Sequence, residues 1–279
     1  MKVVLFCGGL GTRLREHTEA IPKPMIRVGH QPILWHIMQY YCHFGHKDFI
    51  LCLGYKANVV KEFFLNYRPQ VFTDCVVSAK GSSVELLRKP DEEDWRVSLI
   101  DTGMWRNIGE RLWAVRDYVK DEEIFLANYS DGLSDVDLND MLDRFKKSGK
   151  LACFLTTRPP LTYHTVDMDH EGGVRGLRAW DRGDVWINSG FFLLRPKIFE
   201  YMREGEELVV EPFNRLAQAN ELMAYKYEGF FRSMDTLKDW QMLENLVEQG
   251  IMPWRADDCG LTKKQSLNLQ RDAVCDAVS

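Results

Sequence analysis

Long hydrophobic runs are absent from this sequence of 279 residues. No run approaches the roughly 18–20 apolar residues that a membrane-spanning helix needs. The apolar stretch Val3–Cys7 is also too short to be the core of a signal peptide, and it leads directly into glycines and Arg13. We therefore expect a cytoplasmic protein that has no membrane partner.

Paired cysteines and an excess of positive charge are lacking as well. The seven cysteines form no CxxC pair and their number is odd, which favours the thiols of a reducing compartment over a disulfide framework. The formal net charge is −5, so a broad basic face for nucleic acid is not expected. Hydrophobic residues make up 45% and charged residues 28%, a balance that is typical of globular proteins and unlike that of disordered chains.

The first half of the chain alternates between buried strands and amphipathic helices. Predicted strands are Lys2–Cys7, Asp48–Leu53, Glu123–Asn128 and Leu151–Thr156. Predicted helices are Ile33–Phe44, Ala57–Asn66 and Leu138–Ser148, of which the first has apolar residues at helical spacing and the last is followed by glycine. This alternation predicts an α/β fold, with a Rossmann-like, mostly parallel sheet and helices on both of its faces.

From about residue 157 the pattern changes to short alternating segments that prolines and glycines interrupt. These segments surround Val166–Met168, Val174–Leu177 and Ile187–Leu194. They predict a smaller, mixed and partly antiparallel β extension over the carboxyl end of the sheet. Thr236–Gln249 is predicted to be a final helix, and a polar, weakly patterned tail follows it.

A glycine-rich segment, Gly8–Leu14 (GGLGTRL), comes directly after the first predicted strand. Glycines allow backbone N–H groups to approach a phosphate without interference from Cβ atoms. A Walker loop is excluded because the segment reads Gly-Thr-Arg where that motif needs Gly-Lys-Ser/Thr, and the dinucleotide GxGxxG motif is excluded by Leu14. The glycines alone leave open a tight turn that binds nothing.

A lysine between two prolines follows ten residues after Arg13, in the segment Pro22-Lys23-Pro24-Met25. The prolines restrict the backbone on both sides of Lys23 and so hold its ammonium group in one region. Arg13 and Lys23 together provide two cations for a triphosphate. A rigid turn with a solvated lysine is the alternative.

Together, GGLGTRL and PKPM resemble the signature of the sugar-1-phosphate nucleotidyltransferases. The resemblance covers roughly residues 1–255 and continues through Gln31–Met38, Leu53–Lys56, Asp101–Gly103, Tyr129–Gly132, Asn188–Phe192 and Met234–Thr236. It implies one domain, residues 1–255, with a nucleotide-binding half (1–156) and a sugar-binding half (157–255), followed by a tail (256–279). It also implies self-association into a homo-oligomer.

Members of this family join a nucleoside triphosphate to a sugar 1-phosphate and release pyrophosphate. The motifs look most like those of members that use CTP and glucose 1-phosphate. Two alternatives stay open: a transferase for UTP, dTTP or GTP with a non-glucose sugar phosphate, and a non-catalytic sensor of nucleotide-sugars. The retained Arg13, Lys23, Asp131 and Asp235 argue against the sensor, because a protein that only binds need not keep a metal site.

The resemblance assigns three groups of site residues. The implied catalytic residues are Arg13, Lys23, Asp131 and Asp235. The implied nucleotide-binding residues are Gly8, Gly9, Leu10, Gly11, Thr12, Arg13, Lys23, Thr102, Gly109, Arg111 and Ser130. The implied residues for the sugar phosphate are Arg178, Arg182, Asn188, Gly190 and Glu211.

The implied cofactor is Mg²⁺, held by Asp131 and Asp235. This hard cation prefers one or two carboxylates together with phosphate oxygens and water. From the local sequence alone, Asp131 before Gly132 also fits a turn residue, and Asp235 also fits an N-cap of the last predicted helix.

The sequence departs from the family on the side of the sugar. Family members carry Glu-Lys-Pro with a lysine for the sugar phosphate, whereas this chain has no lysine in the matching stretch Arg178–Asp184. Arg178 or Arg182 is the expected substitute. In the loop for the nucleotide base, Met104-Trp105-Arg106 replaces small polar residues. We expect Trp35, Trp105, Trp180 and Trp186 to pack in the protein rather than to bind ligand.

Overall fold

A seven-stranded sheet forms the centre of the computed structural model, which describes residues 1–11, 21–71, 74–78, 83–87, 94–159, 164–179 and 185–255. Its strands are β1 (Lys2–Phe6), β2 (Asp48–Leu53), β3 (Arg96–Asp101), β4 (Phe125–Asn128), β5 (Ala152–Thr157), β6 (Ile187–Leu194) and β7 (Leu222–Tyr227). Across the sheet they follow the order β7-β5-β6-β4-β1-β2-β3.

Six strands of this sheet run in one direction and β6 runs in the other. β1 pairs in parallel with β2 and β4, β2 with β3, and β5 with β7, while β6 is antiparallel to both β4 and β5. The predicted mostly parallel α/β fold is confirmed. The placement of Ile187–Leu194 in the β extension is wrong, because this strand lies between β4 and β5 and six of its eight residues are buried.

Helices cover both faces of the sheet, as predicted. They are α1 (Ile33–His43), α2 (Ala57–Leu65), α3 (Ile108–Ala114), α4 (Leu138–Ser148), α5 (Glu211–Gln218) and α6 (Leu237–Glu248), with a short helix at Arg116–Val119. Val3 and Leu5 of β1 face a core that includes α1, α4 and α6. Val4 and Phe6 alternate with them and face a second core that includes α3 and α5. Burial on both sides explains why β1 is a continuous apolar run.

Smaller elements surround the sheet. The paired short strands are Arg27–Val28 with Gln31–Pro32, Cys75–Ser78 with Ser83–Leu86, Gly132–Ser134 with Phe231–Ser233, and His164–Met168 with Val174–Ala179. The described residues include 3₁₀ helices at Lys23–Met25, Pro69–Val71 and Pro196–Tyr201. Within the described residues, no helix has the length and apolar character needed to cross a membrane. The predicted tail, residues 256–279, lies outside the described residues.

The end of the described chain packs against α1. Nε1 of Trp254 donates a hydrogen bond to Nδ1 of His36 over 3.2 Å, and both side chains are buried. Nε2 of His36 lies 2.9 Å from the carbonyl oxygen of Val28. The ring is therefore the neutral tautomer that carries its proton on Nε2. Burial lowers the pKa of His36 to about 4.

Candidate active site

A cavity of about 440 Å³ opens at the carboxyl edge of the sheet, near the ends of β1 and β4. Its wall includes Gly9, Gly11, Lys23, Pro24, Arg106–Ile108, Arg111, Tyr129–Asp131, Glu207 and Asp235. Open α/β sheets bind their ligands at this edge. The cavity therefore brings together residues from both halves of the sequence.

Lys23 lies between two carboxylates in this cavity. Its Nζ atom is 2.7 Å from Oδ2 of Asp131 and 2.9 Å from Oδ1 of Asp235. Burial by itself would lower the pKa of Lys23, but the two carboxylates outweigh it and the pKa is raised. Burial raises the pKa of Asp131, and Lys23 limits that rise. The ammonium group is thus charged throughout the neutral range.

Local backbone structure places each member of this triad. Lys23 starts a 3₁₀ helix, in which the N–H of Met25 donates to the carbonyl of Pro22 over 2.8 Å. Ser130 has φ of +62°, and its hydroxyl donates to the carbonyl of Phe6 over 2.7 Å. This turn leads the chain from β4 to Asp131. The residue with the left-handed backbone conformation is therefore Ser130 and not Asp131.

Asp235 reaches the cavity through the ladder between Gly132–Ser134 and Phe231–Ser233. Beside that ladder, the N–H of Met234 donates to the carbonyl of Asp131 over 2.9 Å. The alternative role of Asp235 as an N-cap is wrong: Thr236 caps α6, and its hydroxyl accepts from the N–H of Asp239. The carboxylate of Asp235 contacts Lys23 instead.

Arg111 connects several segments of the cavity wall by hydrogen bonds. Its guanidinium donates hydrogen bonds of 2.8–3.3 Å to the carbonyls of Gly8, Leu53, Gly103 and Met104 and to the hydroxyl of Thr102. The residue is only 2% exposed. Thr102, also buried, donates its hydroxyl to the carbonyl of Leu53 over 2.7 Å. Thr102 and Arg111, both predicted to bind the nucleotide, therefore connect the loops that follow β1, β2 and β3.

Two of the predicted nucleotide-binding glycines are needed by the protein's own packing. A Cβ atom on Gly8 would overlap the guanidinium of Arg111, and one on Gly109 would overlap the carbonyl of Glu206. Gly9 and Gly11, in contrast, line the cavity. Leu10 lies between them and is half-buried. Thr12 and Arg13 lie outside the described residues.

Asn188 and Gly190 position an aromatic ring of the cavity. The side-chain amide of Asn188 donates to the hydroxyl of Tyr129 over 3.0 Å, and its oxygen accepts from the N–H of Gly190. Gly190 has φ of +76°, and a Cβ atom there would overlap the ring of Tyr129. These two residues, predicted to contact the sugar phosphate, thus lie directly behind the cavity wall.

Two further predicted sugar-phosphate residues, Arg178 and Glu211, do not line the cavity. Arg178 is exposed on the strand Val174–Ala179. Glu211 is exposed at the start of α5, where its carboxylate accepts from the N–H of Glu207 over 3.2 Å. Arg182 lies outside the described residues. Their predicted roles stay predictions.

Sequence reasoning missed several residues of the cavity, among them Asn107 and Glu207. Asn107 forms a reciprocal capping box with Glu110, a pattern that its Asn-x-x-Glu sequence could have revealed. Burial raises the pKa of Glu207, and no local signal in the sequence marks this residue. Trp105 was expected to pack, but its side chain is 78% exposed beside the cavity residue Arg106, so that expectation is wrong.

A family model described as nucleotidyl transferase matches residues 2–230. The chain belongs to the nucleotidyltransferase family. The resemblance stated from the GGLGTRL and PKPM motifs is thereby confirmed, and the protein is an enzyme of the sugar-1-phosphate nucleotidyltransferase class.

Curated relatives agree with this assignment, and a solved structure has a similar fold. The nucleotidyltransferase is 43% identical to glucose-1-phosphate cytidylyltransferase of Salmonella typhimurium, over 91% of this chain and 99% of the relative. It is 35% identical, with the same coverage, to a probable glucose-1-phosphate cytidylyltransferase of Bacillus subtilis. Its fold is similar to that of UDP-glucose pyrophosphorylase complexed with UDP-glucose, with a TM-score of 0.65, 15% identity, and coverage of 89% of this chain and 98% of the other.

Proposed function

We propose that this nucleotidyltransferase transfers a cytidylyl group from CTP to a sugar 1-phosphate, either glucose 1-phosphate or a related sugar. The products are a nucleotide-sugar and pyrophosphate. The 43% identity to a glucose-1-phosphate cytidylyltransferase supports the donor and the acceptor. The observation that carries the proposal is the position of Lys23 between Asp131 and Asp235, inside a cavity at the carboxyl edge of the sheet.

Asp131 and Asp235 fit a magnesium ion. Both carboxylates converge on one ammonium group, so their geometry already stabilises a positive charge between them. No cluster of three or more potential ligands occurs in the described part of the chain, and Mg²⁺ needs only one or two carboxylates when phosphates and water complete its coordination. When bound, the ion would neutralise charge on the phosphates of the donor.

The main obstacle of the reaction is repulsion between the acceptor phosphate and the donor phosphates, and the chain's own residues reduce this repulsion. An oxygen of the acceptor phosphate attacks the α-phosphate of the donor, and no general base is needed because that oxygen is already deprotonated. Lys23 supplies a charged ammonium that stabilises the extra negative charge of the transition state. The N–H groups near Gly9 and Gly11 orient the donor, and Arg13 binds the departing phosphates.

A second candidate uses another nucleotide, such as UTP, dTTP or GTP, with a non-glucose sugar phosphate. The absence of a lysine from the stretch Arg178–Asp184 favours it. A non-catalytic sensor is less consistent with the triad of Lys23, Asp131 and Asp235. A cytoplasmic location and a homo-oligomeric state stay predictions.

The proposal is tested by measuring pyrophosphate release with Mg²⁺, each common nucleoside triphosphate and a panel of sugar 1-phosphates. CTP with glucose 1-phosphate or a related sugar should give the fastest release. The Asp131→Asn variant should be inactive and still folded. If pyrophosphate is released only with another nucleotide, that nucleotide is the donor instead of CTP. If no pair releases pyrophosphate, the proposed transferase activity is contradicted.

A further inference from the structure

Two cations lie over one tryptophan ring at the carboxyl edge of the sheet. Arg158 directly follows β5, Trp186 directly precedes β6, and Lys226 lies near the end of β7. The guanidinium carbon of Arg158 is 4.1 Å from the centroid of the Trp186 ring, and Nζ of Lys226 is 5.3 Å from it. We call these three residues the Arg158 cluster.

The strand order places the Arg158 cluster beside the cavity. β5 and β7 run in the same direction as β4 and β6 runs against them, so Arg158, Trp186 and Lys226 lie at the same sheet edge as Asp131. β5 is the second neighbour of β4, which puts it about 10 Å away along this edge. The hydroxyls of Thr157 and Ser189, 2.7 Å apart, join β5 and β6 at that point.

This position is on the side where an acceptor must approach. The donor phosphates lie at the ends of β1 and β4 in the proposed function, and the attacking and leaving oxygens of the transfer stand roughly in line. On the other side of β1, Arg111 links the loops after β2 and β3 by hydrogen bonds to the carbonyls of Leu53 and Gly103. We therefore expect the acceptor on the other side, over β6, β5 and β7.

An anionic acceptor needs positive charge in this part of the site. Of the cavity cations in the described ranges, Lys23 is held by two carboxylates, and Arg111 donates to carbonyls and a hydroxyl of the wall. Arg106 lies on the side of α3, 3.7 Å from Glu110. Arg158 and Lys226 bring two further cations to the acceptor side.

The indole ring suits this role. A flat aromatic face attracts a guanidinium and restrains its plane, which leaves the N–H groups at its rim directed sideways, where a phosphate or carboxylate can accept them. Two cations near one ring also repel each other, and an anion bound between them relieves that repulsion.

We propose that the Arg158 cluster binds an oxyanion of the sugar phosphate acceptor. This inference rests on the proposed function and identifies residues that select the acceptor. The oxyanion is either the 1-phosphate itself or a second acidic group at the far end of the sugar, since both present negatively charged oxygens that accept hydrogen bonds from a guanidinium.

The test compares Arg158→Gln and Lys226→Gln with the parent protein at saturating CTP. Glucose 1-phosphate and glucuronic acid 1-phosphate serve as acceptors, because the latter carries a second acidic group. Loss of a charge-assisted hydrogen bond should raise the acceptor KM roughly 10- to 100-fold and leave the KM for CTP unchanged. Arg158→Lys keeps the charge and should restore part of the affinity.

Arg116→Gln is the matched control. Arg116 also stacks on a tryptophan, Trp113, with 4.9 Å between the guanidinium carbon and the ring. It lies near the start of β1, at the opposite edge of the sheet, because Nζ of Lys2 donates to the carbonyl of Tyr118. Its loss should leave the KM of both acceptors unchanged.

The pattern of KM values distinguishes the two oxyanions. An equal rise for both acceptors assigns the cluster to the 1-phosphate, and a rise confined to glucuronic acid 1-phosphate assigns it to the second acidic group. Unchanged KM values for both acceptors in Arg158→Gln and in Lys226→Gln would overturn the inference. Lys226 is exposed, so its variant is expected to fold even where that of Arg158 does not.

Calorimetric titration of the same two compounds, without nucleotide, separates this inference from the proposed function. If no pyrophosphate is released with any pair, the proposed function fails, but binding to the parent that is weakened in the two variants still supports the cluster as an anion site. Binding of equal strength in parent and variants, or no binding to the parent, would contradict it.

Discussion

Lys23 and Asp131 are 108 residues apart in sequence, and yet Nζ of Lys23 lies 2.7 Å from Oδ2 of Asp131. A lysine that shares a site with two carboxylates keeps its charge, because each carboxylate favours the protonated ammonium. In return, the ammonium limits the mutual repulsion of Asp131 and Asp235.

Replacing Lys23 by methionine should reduce the rate of pyrophosphate release by a factor of about 10²–10³, as loss of an aimed electrostatic group does in other enzymes. The variant should also lose stability, because Asp131 and Asp235 would then repel each other with no ammonium group between them. Lys238→Met, at an exposed position of α6, provides the control. Full activity of Lys23→Met would remove this lysine from the reaction.

Alanine at Gly8 should destabilise the protein, whereas alanine at Gly9 should not. A Cβ atom at Gly8 would overlap the guanidinium of Arg111, while one at Gly9 meets nothing within 4 Å. Such overpacking costs about 1–3 kcal/mol, and urea unfolding of the two variants measures the difference. Equal unfolding free energies would show that Arg111 can move away without cost.

Lysine at position 111 should lower both stability and donor affinity. The guanidinium of Arg111 satisfies four buried or half-buried carbonyls, and an ammonium group has too few donors in the wrong geometry. Two carbonyls left without a partner would lower the unfolding free energy by about 2–4 kcal/mol. The KM for CTP should rise because the loops after β1 and β3 separate. Arg106→Lys, at a half-exposed position, should leave the stability unchanged.

Acidification should destabilise the protein through His36. The pKa of His36 is about 4 in the folded state and about 6.5 in an unfolded chain. Between these values the unfolded chain binds more protons, so stability falls as the pH decreases from 6.5 towards 4, by up to about 3 kcal/mol. The contribution is fully present above pH 6.5, where the ring is neutral in both states.

Urea unfolding at pH 7.5 and pH 5 measures this effect. His36→Gln should be less stable at pH 7.5 and lose less stability on acidification. The loss should not vanish, because burial also lowers the pKa of His46 to about 4. His30→Gln, at an exposed position, should behave like the parent. An unchanged pH dependence in His36→Gln would show that Trp254 tolerates a charged ring.

The local pattern of apolar residues in the sequence predicted the helices and strands with strong periodicity closely. The strand Asp48–Leu53 and the helix Leu138–Ser148 have the predicted bounds, because each carries a strong apolar pattern with a clear end. β3 (Arg96–Asp101) was missed because it is an edge strand with polar residues and no fully buried position. Ile187–Leu194 was misplaced because pairing with β4 and β5 depends on partners that are distant in sequence.

The candidate site was predictable only through the resemblance. The contact between Lys23 and Asp235 joins residues that are 212 apart in sequence, and no local signal reports such a distance. Glu207 was missed for the same reason, since the fold and not its neighbours in sequence brings it to the cavity. Arg158 and Trp186 became visible only once the strand order had brought them together.

The insertion of β6 between β4 and β5 has a consequence for synthesis on the ribosome. All four residues of β4 are buried, and one of its two edges is covered only by Phe191–Leu194. A nascent chain, or a truncated product, that ends before this segment therefore presents an apolar strand with an open edge. Such edges pair with other chains. We expect truncations before residue 187 to aggregate and truncations after residue 255 to stay dispersed.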